Sequence, residues 1–491
     1  MTDDQFQAWL KSPDARRVVL IEATAQVFGV ETVMYMATKP YNTSPMDVPA
    51  NTHYRPIVAV GVLFTEELSL TGDGALSAGD VEIDNYGGER DAWLGYVWTN
   101  RTFKAYVGDV RWPRADFRPI FDGITADIAP RGRLKLALKL RDKLQRLNTP
   151  ITEAKLGGLT QNKDALIPMV FGEAHNVSPL LIDPALLKYQ VHGGPVESIF
   201  EVRDNGVPVA ATVDNGAGTF TLEHSPAGAV TVSVQGDKEG AVSYRTSCAQ
   251  LVQRLVTGYG KATDRFTVAD LDMANLAAFD AAHPEPMGLA APDRLNVLAA
   301  CQMLTGSLGA QLSMSSLGKL RLIQIALPAP GVPVVVRPQQ MVERTLEPVS
   351  RTEAVGAVKL GFAKAWTVQA GLVTAIPEEH KALYATEWLT TTKSDAGVLA
   401  TYKLNGEPLQ QDTMLLRRVD ADAEAQRRLD LWKVPRTTYQ FDGLPELLTL
   451  ELGQAITVYH PRFGMQNGVT GMVVSLGRDW VTCRVKVGFI V

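Results

Sequence analysis

Apolar residues alternate with polar ones at every second position over much of both ends of the chain, and adopt helical spacing convincingly only in the middle. The clearest case is RGRLKLALKLRDKL. Leu134, Leu136, Leu138 and Leu140 fall on one side, and Arg133, Lys135, Lys139 and Arg141 fall on the other. This predicts a half-buried strand, because successive side chains of a strand point to opposite faces. Before it, a short helix is expected around 6–10, then a hairpin of 17–28 and 31–38 turning at Gly29. Further strands are expected at 55–64, 81–85, 103–110 and 118–128. Residues 1–147 thus read as one β-rich section.

From 148 to 245 short strands are punctuated by Asp204-Asn205-Gly206, Asp214-Asn215-Gly216 and Pro226-Ala227-Gly228, which predicts a small β-domain. Residues 246–345 carry the helices. Cys248, Leu251, Val252, Leu255 and Val256 form one stripe behind Thr246 or Ser247 as cap. Thr267 with Asp270 is expected to cap a second helix bearing Leu271, Leu276 and Phe279. A third is placed at 292–304, and a hairpin of 310–314 and 319–325 turns at Gly318. The last section, 346–491, returns to strands at 357–362, 366–369, 450–459, 471–476 and 480–487, interrupted by a helix at 421–432. The fold class expected is mainly β with a smaller α/β part: two β-rich ends bracketing an inserted β-domain and a helical domain.

Composition removes several function classes. The 491 residues and 46% apolar content allow several cores, and 48 basic against 53 acidic residues give a net charge of -5 with no polybasic tail. Sequence-specific nucleic-acid binding is therefore not expected. No apolar run is long enough for a membrane span, and the opening MTDDQFQAWLKSPDARR lacks the apolar core of a signal peptide, so the protein is expected to be made and kept in the cytosol. Cys248, Cys301 and Cys483 are too far apart for a metal knuckle and read as reduced core residues.

Catalytic signatures are missing as well. Neither HExxH, GxSxG, GxxxxGK[ST] nor GxGxxG occurs, and Gly258-Tyr259-Gly260 follows a helix as a stop signal. The best local pair is Glu173 with His175, next to Asn176, two residues apart on one strand face where a proton could pass. Read alone it is an ordinary strand pair. Asp84, Asn85, Asp91 and Asp109 could be taken as calcium ligands, but they lack EF-hand spacing and read as turn formers. The cationic face from Arg131 to Arg141, including Arg133, Lys135 and Lys139, reads as a solvated or subunit-contacting face, with contact to passing DNA phosphates as the alternative. Arg417, Arg418, Asp420, Asp422, Glu424, Arg427 and Arg428 mix signs at helical spacing and predict an exposed helix laced with ion pairs. No catalytic, cofactor-binding or metal residue is assigned.

The stretch GDVEIDNYGGERDAWLGYVWTNRTFKAYVGDVRW, followed by RPIFDGITADI, resembles the opening barrel of bacteriophage tail-tip hub proteins of the Mu-like siphophage type. The positions that carry the likeness are Asn85, Gly88, Asp91, Trp93, Gly108, Phe121 and Gly123. PMVFGEAHNVSPLLIDPALLKYQVHGGPVESIFEVRDNGVPV is similar to the β-domain inserted in such hubs, and LELGQAITVYHPRFGMQNGVTGMVVSLGRDW to their second barrel. The resemblance implies two tail-tube-like β-barrels per subunit, and three subunits in a pseudo-hexameric ring. It implies as partners a distal tail protein, a tape-measure protein and a central tip or fibre-bearing protein, and a place in the virion where DNA passes into the host. Some relatives hold an iron-sulfur cluster on four cysteines; with three here, no cofactor is expected. The function implied is structural and not enzymatic. The competing readings are a receptor- or glycan-binding tail protein using 148–245, and a cell-wall-degrading tail enzyme.

Overall fold

The computed structural model of the chain describes residues 2–59, 63–70, 78–369, 372 and 376–491. It is mainly β, with 39% strand against 20% helix, and multidomain. Contacts group it into two compact units: 1–146 with 313–352 and 436–491, and 147–312 with 353–435. Where the sequence pattern places divisions at 147/148, 245/246 and 345/346, the chain thus crosses between units at 146/147, 312/313, 352/353 and 435/436. Residues 353–435 carry the same strand-and-turn texture as their neighbours, and texture does not say with which strands a strand pairs.

The first unit is built on a thirteen-stranded sheet. Its strands are β1 (Arg17–Val27), β2 (Val30–Ala37), β3 (Leu63–Glu67), β4 (Ala78–Asp84), β5 (Arg101–Asp109), β6 (Arg118–Pro130), β7 (Lys135–Arg141), β8 (Val334–Val336), β9 (Glu347–Arg351), β10 (Thr437–Gly443), β11 (Ala455–Val458), β12 (Val469–Asp479) and β13 (Arg484–Ile490). The pairing order runs β2-β1-β5-β6-β7-β4-β3-β12-β13-β10-β9, with β11 between β12 and β8. The predicted hairpin is present. Phe28 and Gly29 both have positive φ, 48° and 87°, which is the two-residue turn whose twist suits paired strands. Of the predicted strand 55–64, residues 60–62 lie outside the described residues.

The first set of strands closes on itself through residues 55–59. Ala37 N–H donates to Arg55 C=O and Arg55 N–H to Tyr35 C=O at 2.7 and 3.2 Å; Ala59 N–H donates to Glu82 C=O at 2.9 Å and Asp84 N–H to Ile57 C=O at 2.8 Å. That segment therefore lies between β2 and β4, and the barrel has no gap there. Ile21, Phe103, Leu136, Leu138 and Leu140 are buried along its strands, and Leu20, on the opposite face of β1 from Ile21, is buried with Val18, Tyr41, Tyr54 and Phe117; each large side chain removed from water contributes about 2–3 kcal/mol. The alternation read in 134–140 is borne out from Leu136 onward. Leu134 is 55% exposed, because Arg131 N–H donates to Lys135 C=O and holds 131–134 as the turn before β7.

The second set also returns to its start. Residues 334–351 form one bent segment whose beginning, β8, pairs parallel with β11 and whose end, β9, pairs with β10; Val342 N–H donates to Asp442 C=O at the bend. β3 joins the two barrels, since it pairs with β4 on one side and with β12 on the other. Helix α1 (Asp3–Lys11) is longer than expected because Thr2 and Gln5 form a capping box.

In the second unit, a five-stranded and a four-stranded sheet enclose Val170, Tyr189, Ile199, Val202, Phe220 and Val234. Helices Cys248–Gly258, Met273–Ala282 and Val297–Ser307 follow. Ser247 caps the first, as one of the two expected residues. Thr267 and Asp270 do form a capping box, but on a single 3-10 turn; the helix itself starts after Asp272. The third starts at Val297, not 292. The segment 366–369 is not a strand. The helix Arg418–Trp432 packs Ala425 and Leu429 on Val358 and Leu360. It is not simply solvated. Glu424 is buried between Arg427 and Arg428, whose guanidinium groups donate to the carbonyls of Gly306, Ser307 and Leu308 at the end of the preceding helix.

Asp237 anchors the second unit. Burial pushes its pKa up, but bonds from His192, Arg254 and Tyr259 outweigh that and hold the carboxyl well below its ordinary value. A carboxylate depressed in the folded state stabilises it above the unfolded pKa and loses that contribution as pH falls. Stability is therefore expected to hold from pH 7 down to about 4, near the unfolded aspartate value, and to fall below it. Urea midpoints against pH check this: Asp237→Asn should show a shallower acid limb, and an unchanged limb would remove Asp237 as its cause.

Candidate interaction surface

The motif residues of the first barrel converge on one loop. Asn85, at the end of β4, donates through Nδ2 to Asp91 Oδ1 at 2.7 Å and accepts from the Arg90 N–H at 2.9 Å. Gly88 has φ 73°, and a Cβ there would stand 2.8 Å from Asp91 Oδ2, so glycine is required for both reasons. The Trp98 indole donates to the Trp93 carbonyl at 2.9 Å, with both rings buried. Gly108 and Gly123 lie farther down the strands, against the rings of Phe117 and Phe121, where a side chain would collide at 2.6 and 2.5 Å. The sequence motif is a packing motif.

This loop, the β1–β2 turn and the β6–β7 turn share one end of the barrel. Gln26 and Val97 exchange backbone bonds of 2.9 and 3.2 Å, and Asn85 N–H donates to Leu134 C=O at 2.7 Å. On that end Phe28 is 95% exposed, and Val30, Tyr86, Leu94, Val97 and Leu134 are exposed too. Phe28 sits 6.3 Å from the Tyr96 ring. Single exposed apolar residues are ordinary, whereas a group of them at one end of a barrel marks a contact surface.

The other candidates resolve into structure. Glu173 and His175 are brought together at 3.1 Å, and Glu173 also accepts from Gln235 and Tyr244. The imidazole leads in drawing the Glu173 pKa below its usual value. The ring of His175 faces Phe200, and its strand meets Ala365; Asn176, at φ 55°, donates to the Leu383 carbonyl at 3.1 Å. These bonds tie strands together. Asp109 is buried and held by Arg111, Trp9 and the Arg16 N–H, foremost Arg111, which depresses its pKa. Asp84 lies on β4 and does not meet Asp109 or Asp91 in a ligand set: among the described residues no group of three or more His, Cys, Asp or Glu could hold a metal.

On the cationic face, Lys135 pairs with Glu82 at 2.7 Å, and Lys139 and Arg131 both pair with Asp80. Carboxylates of β4 thus neutralise three of these cations locally, which weakens the phosphate-contact alternative; Arg133 and Arg141 remain exposed beside them. Cys248, Cys301 and Cys483 are free and buried, and burial pushes each thiol pKa up, so they are poor nucleophiles. Among the described residues no helix is long and apolar enough to cross a membrane. Two features gave no readable sequence signal: the Asp237 network and the buried pair Glu66–Arg478. The partners lie tens to hundreds of residues apart.

No protein-family model matches the chain, and no curated protein matches its sequence. Solved structures do resemble it. One is a tail protein from Neisseria meningitidis MC58, with 9% identity, 97% of this chain and 96% of that one covered, and a TM-score of 0.38. A 43 kDa tail protein of prophage MuSo2 from Shewanella oneidensis has 11% identity, coverage of 96% and 98%, and a TM-score of 0.37. A chain of a native gene transfer agent virion has 12% identity, coverage of 71% and 91%, and a TM-score of 0.44. Prophage tail proteins are thus among the chain's structural neighbours.

Proposed function

We propose that this chain is a structural subunit of a phage tail tip, a non-enzymatic hub that closes the tail tube, anchors tip or fibre proteins and lies on the path of DNA into the host. The observation that carries the reading is the continuous pairing of β4, β3 and β12, which fuses two barrels within one chain. A subunit with two barrels places six around an axis when three copies meet, matching a six-fold tube. The exposed apolar end of the first barrel supplies contact area of the kind an assembly covers. In this reading 1–146 is the first hub barrel, 148–245 an inserted β-domain, and 246–312 with 353–435 a buttressing α/β domain, while 313–352 and 436–491 build the second barrel. Its partners are a distal tail protein above, a tape-measure protein inside and a central tip or fibre-bearing protein below. Rearrangement of the tip at the cell surface would open the path for DNA.

Native mass spectrometry of the purified chain, with images of the tail tip, tests the proposal. A trimer and a three-fold ring are expected. A chain that is monomeric in both, or six copies around the axis, overturns it.

A further inference from the structure

The first unit holds a cavity of about 490 Å³ where α1, the start of β6, residues 313–317, residues 448–452 and the β3–β12 junction meet. Every residue that lines it belongs to this unit. Its walls are largely apolar, with Phe6, Ile120, Ile323 and Leu450 buried around it. Apolar clefts of roughly 300–1,000 Å³ with a few placed polar groups are the usual form of a small-molecule site. Two such groups are present and unmet. Among the described residues Glu66 Oε1 and Trp480 Nε1 have no hydrogen-bond partner, although each residue lines the cavity and is 5% exposed. Glu66 uses its other oxygen on Arg478.

A buried acceptor and a buried donor left unmet both cost the folded chain, and a molecule that brings one donor and one acceptor removes both costs. Trp480 stands in the turn between β12 and β13, where phenylalanine would give the same kind of apolar wall with no N–H to satisfy. Charge narrows the ligand class further. The three guanidinium groups on the cavity are each paired with a carboxylate that also lines it: Arg118 with Asp3, Arg321 with Glu451 and Arg478 with Glu66. The charges cancel in pairs, so an ionic ligand would bury its own charge without a counter-ion. An uncharged amide carries one N–H donor and one C=O acceptor, the complement of the two unmet atoms.

We propose that this cavity binds a small, neutral, mainly apolar molecule bearing a donor and an acceptor, as an amide does, with the donor on Glu66 Oε1 and the acceptor on Trp480 Nε1. The site is complete within one chain, so it stands or falls separately from the hub reading above.

The test is calorimetric titration of the full chain with N-acetyl-phenylalaninamide, and with N-acetyl-phenylalanine and phenylalaninamide as its anionic and cationic counterparts. The same titrations are made on Trp480→Phe, which removes an N–H that bonds nothing in the free chain, so the fold is expected to be kept. A second variant, Leu317→Trp, fills part of the cavity at a lining residue that is 43% exposed, and serves if the first does not fold. Saturable binding of the neutral probe is expected, with the charged probes weaker by about tenfold or more. Each variant is expected to weaken the neutral probe about tenfold, the effect of one lost hydrogen bond or of lost space. In NMR spectra the indole N–H signal that Trp480→Phe lacks should shift when the probe is added to the unsubstituted chain. No saturable binding up to about 10 mM overturns the site, as does unchanged affinity in the variants that fold. Charged probes that bind as tightly as the neutral one overturn the ligand class.

Discussion

Replacing Arg478 with methionine is expected to lower the unfolding free energy by about 3–5 kcal/mol, because it leaves a buried carboxylate without its cation. Glu66 and Arg478 are each 5% exposed and meet at 2.7 Å. They sit on β3 and β12, the two strands through which the barrels share one sheet, in a register where Glu66 faces Leu476 and Phe64 faces Arg478. Arg478 also donates to the carbonyls of Leu448 and Leu450, so the guanidinium holds three acceptors at the junction. Truncating it orphans all three. Glu66→Leu in the same background removes the uncompensated charge and is expected to recover part of the loss, while the two carbonyls still cost about 1–3 kcal/mol each. A double-mutant cycle read by urea unfolding gives the coupling. A loss below about 1 kcal/mol in Arg478→Met would mean that water reaches Glu66 and that the junction is held by the backbone ladder alone.

That junction also marks how far the sequence could be read. Alternation over 134–140 identified a strand and its buried face from local spacing alone, since a strand's two faces repeat every second residue. The hairpin at Phe28-Gly29, the cap at Ser247 and the helix stop at Gly258 were legible for the same reason: each is decided within about five residues. The pairing of Glu66 with Arg478 spans 412 residues, and neither residue carries a mark that distinguishes it from a surface charge. Helix starts slipped where two caps competed. Thr267 and Asp270 make a true capping box, yet the chain bends after one turn and Asp272 begins the longer helix. The charged helix 418–432 carries the expected ion pairs, Arg418 with Asp422 and both Arg427 and Arg428 with Glu424, but it also buries Ala425 and Leu429, and its last two arginines answer carbonyls at the end of another helix, which a single-helix pattern cannot display.

The candidate site was legible in part. Asn85, Gly88, Asp91 and Trp93 could be singled out by resemblance, and the structure explains each as a bond or a contact within one loop. What they support, an exposed apolar barrel end, depends on the neighbouring turns at 28–30 and 131–134. Those turns meet the loop only after the barrel closes. Closure depends in turn on residues 55–59, expected as the start of a strand, whose pairing among the described residues is confined to isolated bridges to β2 and β4.

Gly288→Ala is expected to destabilise the second unit by about 3 kcal/mol or more, the upper range for forcing atoms into a packed interior. Gly288 lies in the strand Gly288–Ala291 opposite Gly172 in the strand Met169–Val177. A Cβ on Gly288 would lie 1.6 Å from the Glu173 carbonyl oxygen, and one on Gly172 would lie 2.0 Å from the Met287 carbonyl oxygen. Each obstacle is backbone, which cannot rotate aside as a side chain could, so the two strands must part. Parting them withdraws Glu173 from Gln235 and Tyr244 and loosens the Glu173 N–H bond to Met287. Faster amide exchange over 169–177 together with a lower urea midpoint is the expected signature. Gly306→Ala provides the contrast. It lies in the helix Val297–Ser307 with nothing within 4 Å of its added Cβ, and alanine there is expected to stabilise by about 0.5–1 kcal/mol. If the two substitutions cost the same, close backbone approach is not what selects glycine at 288.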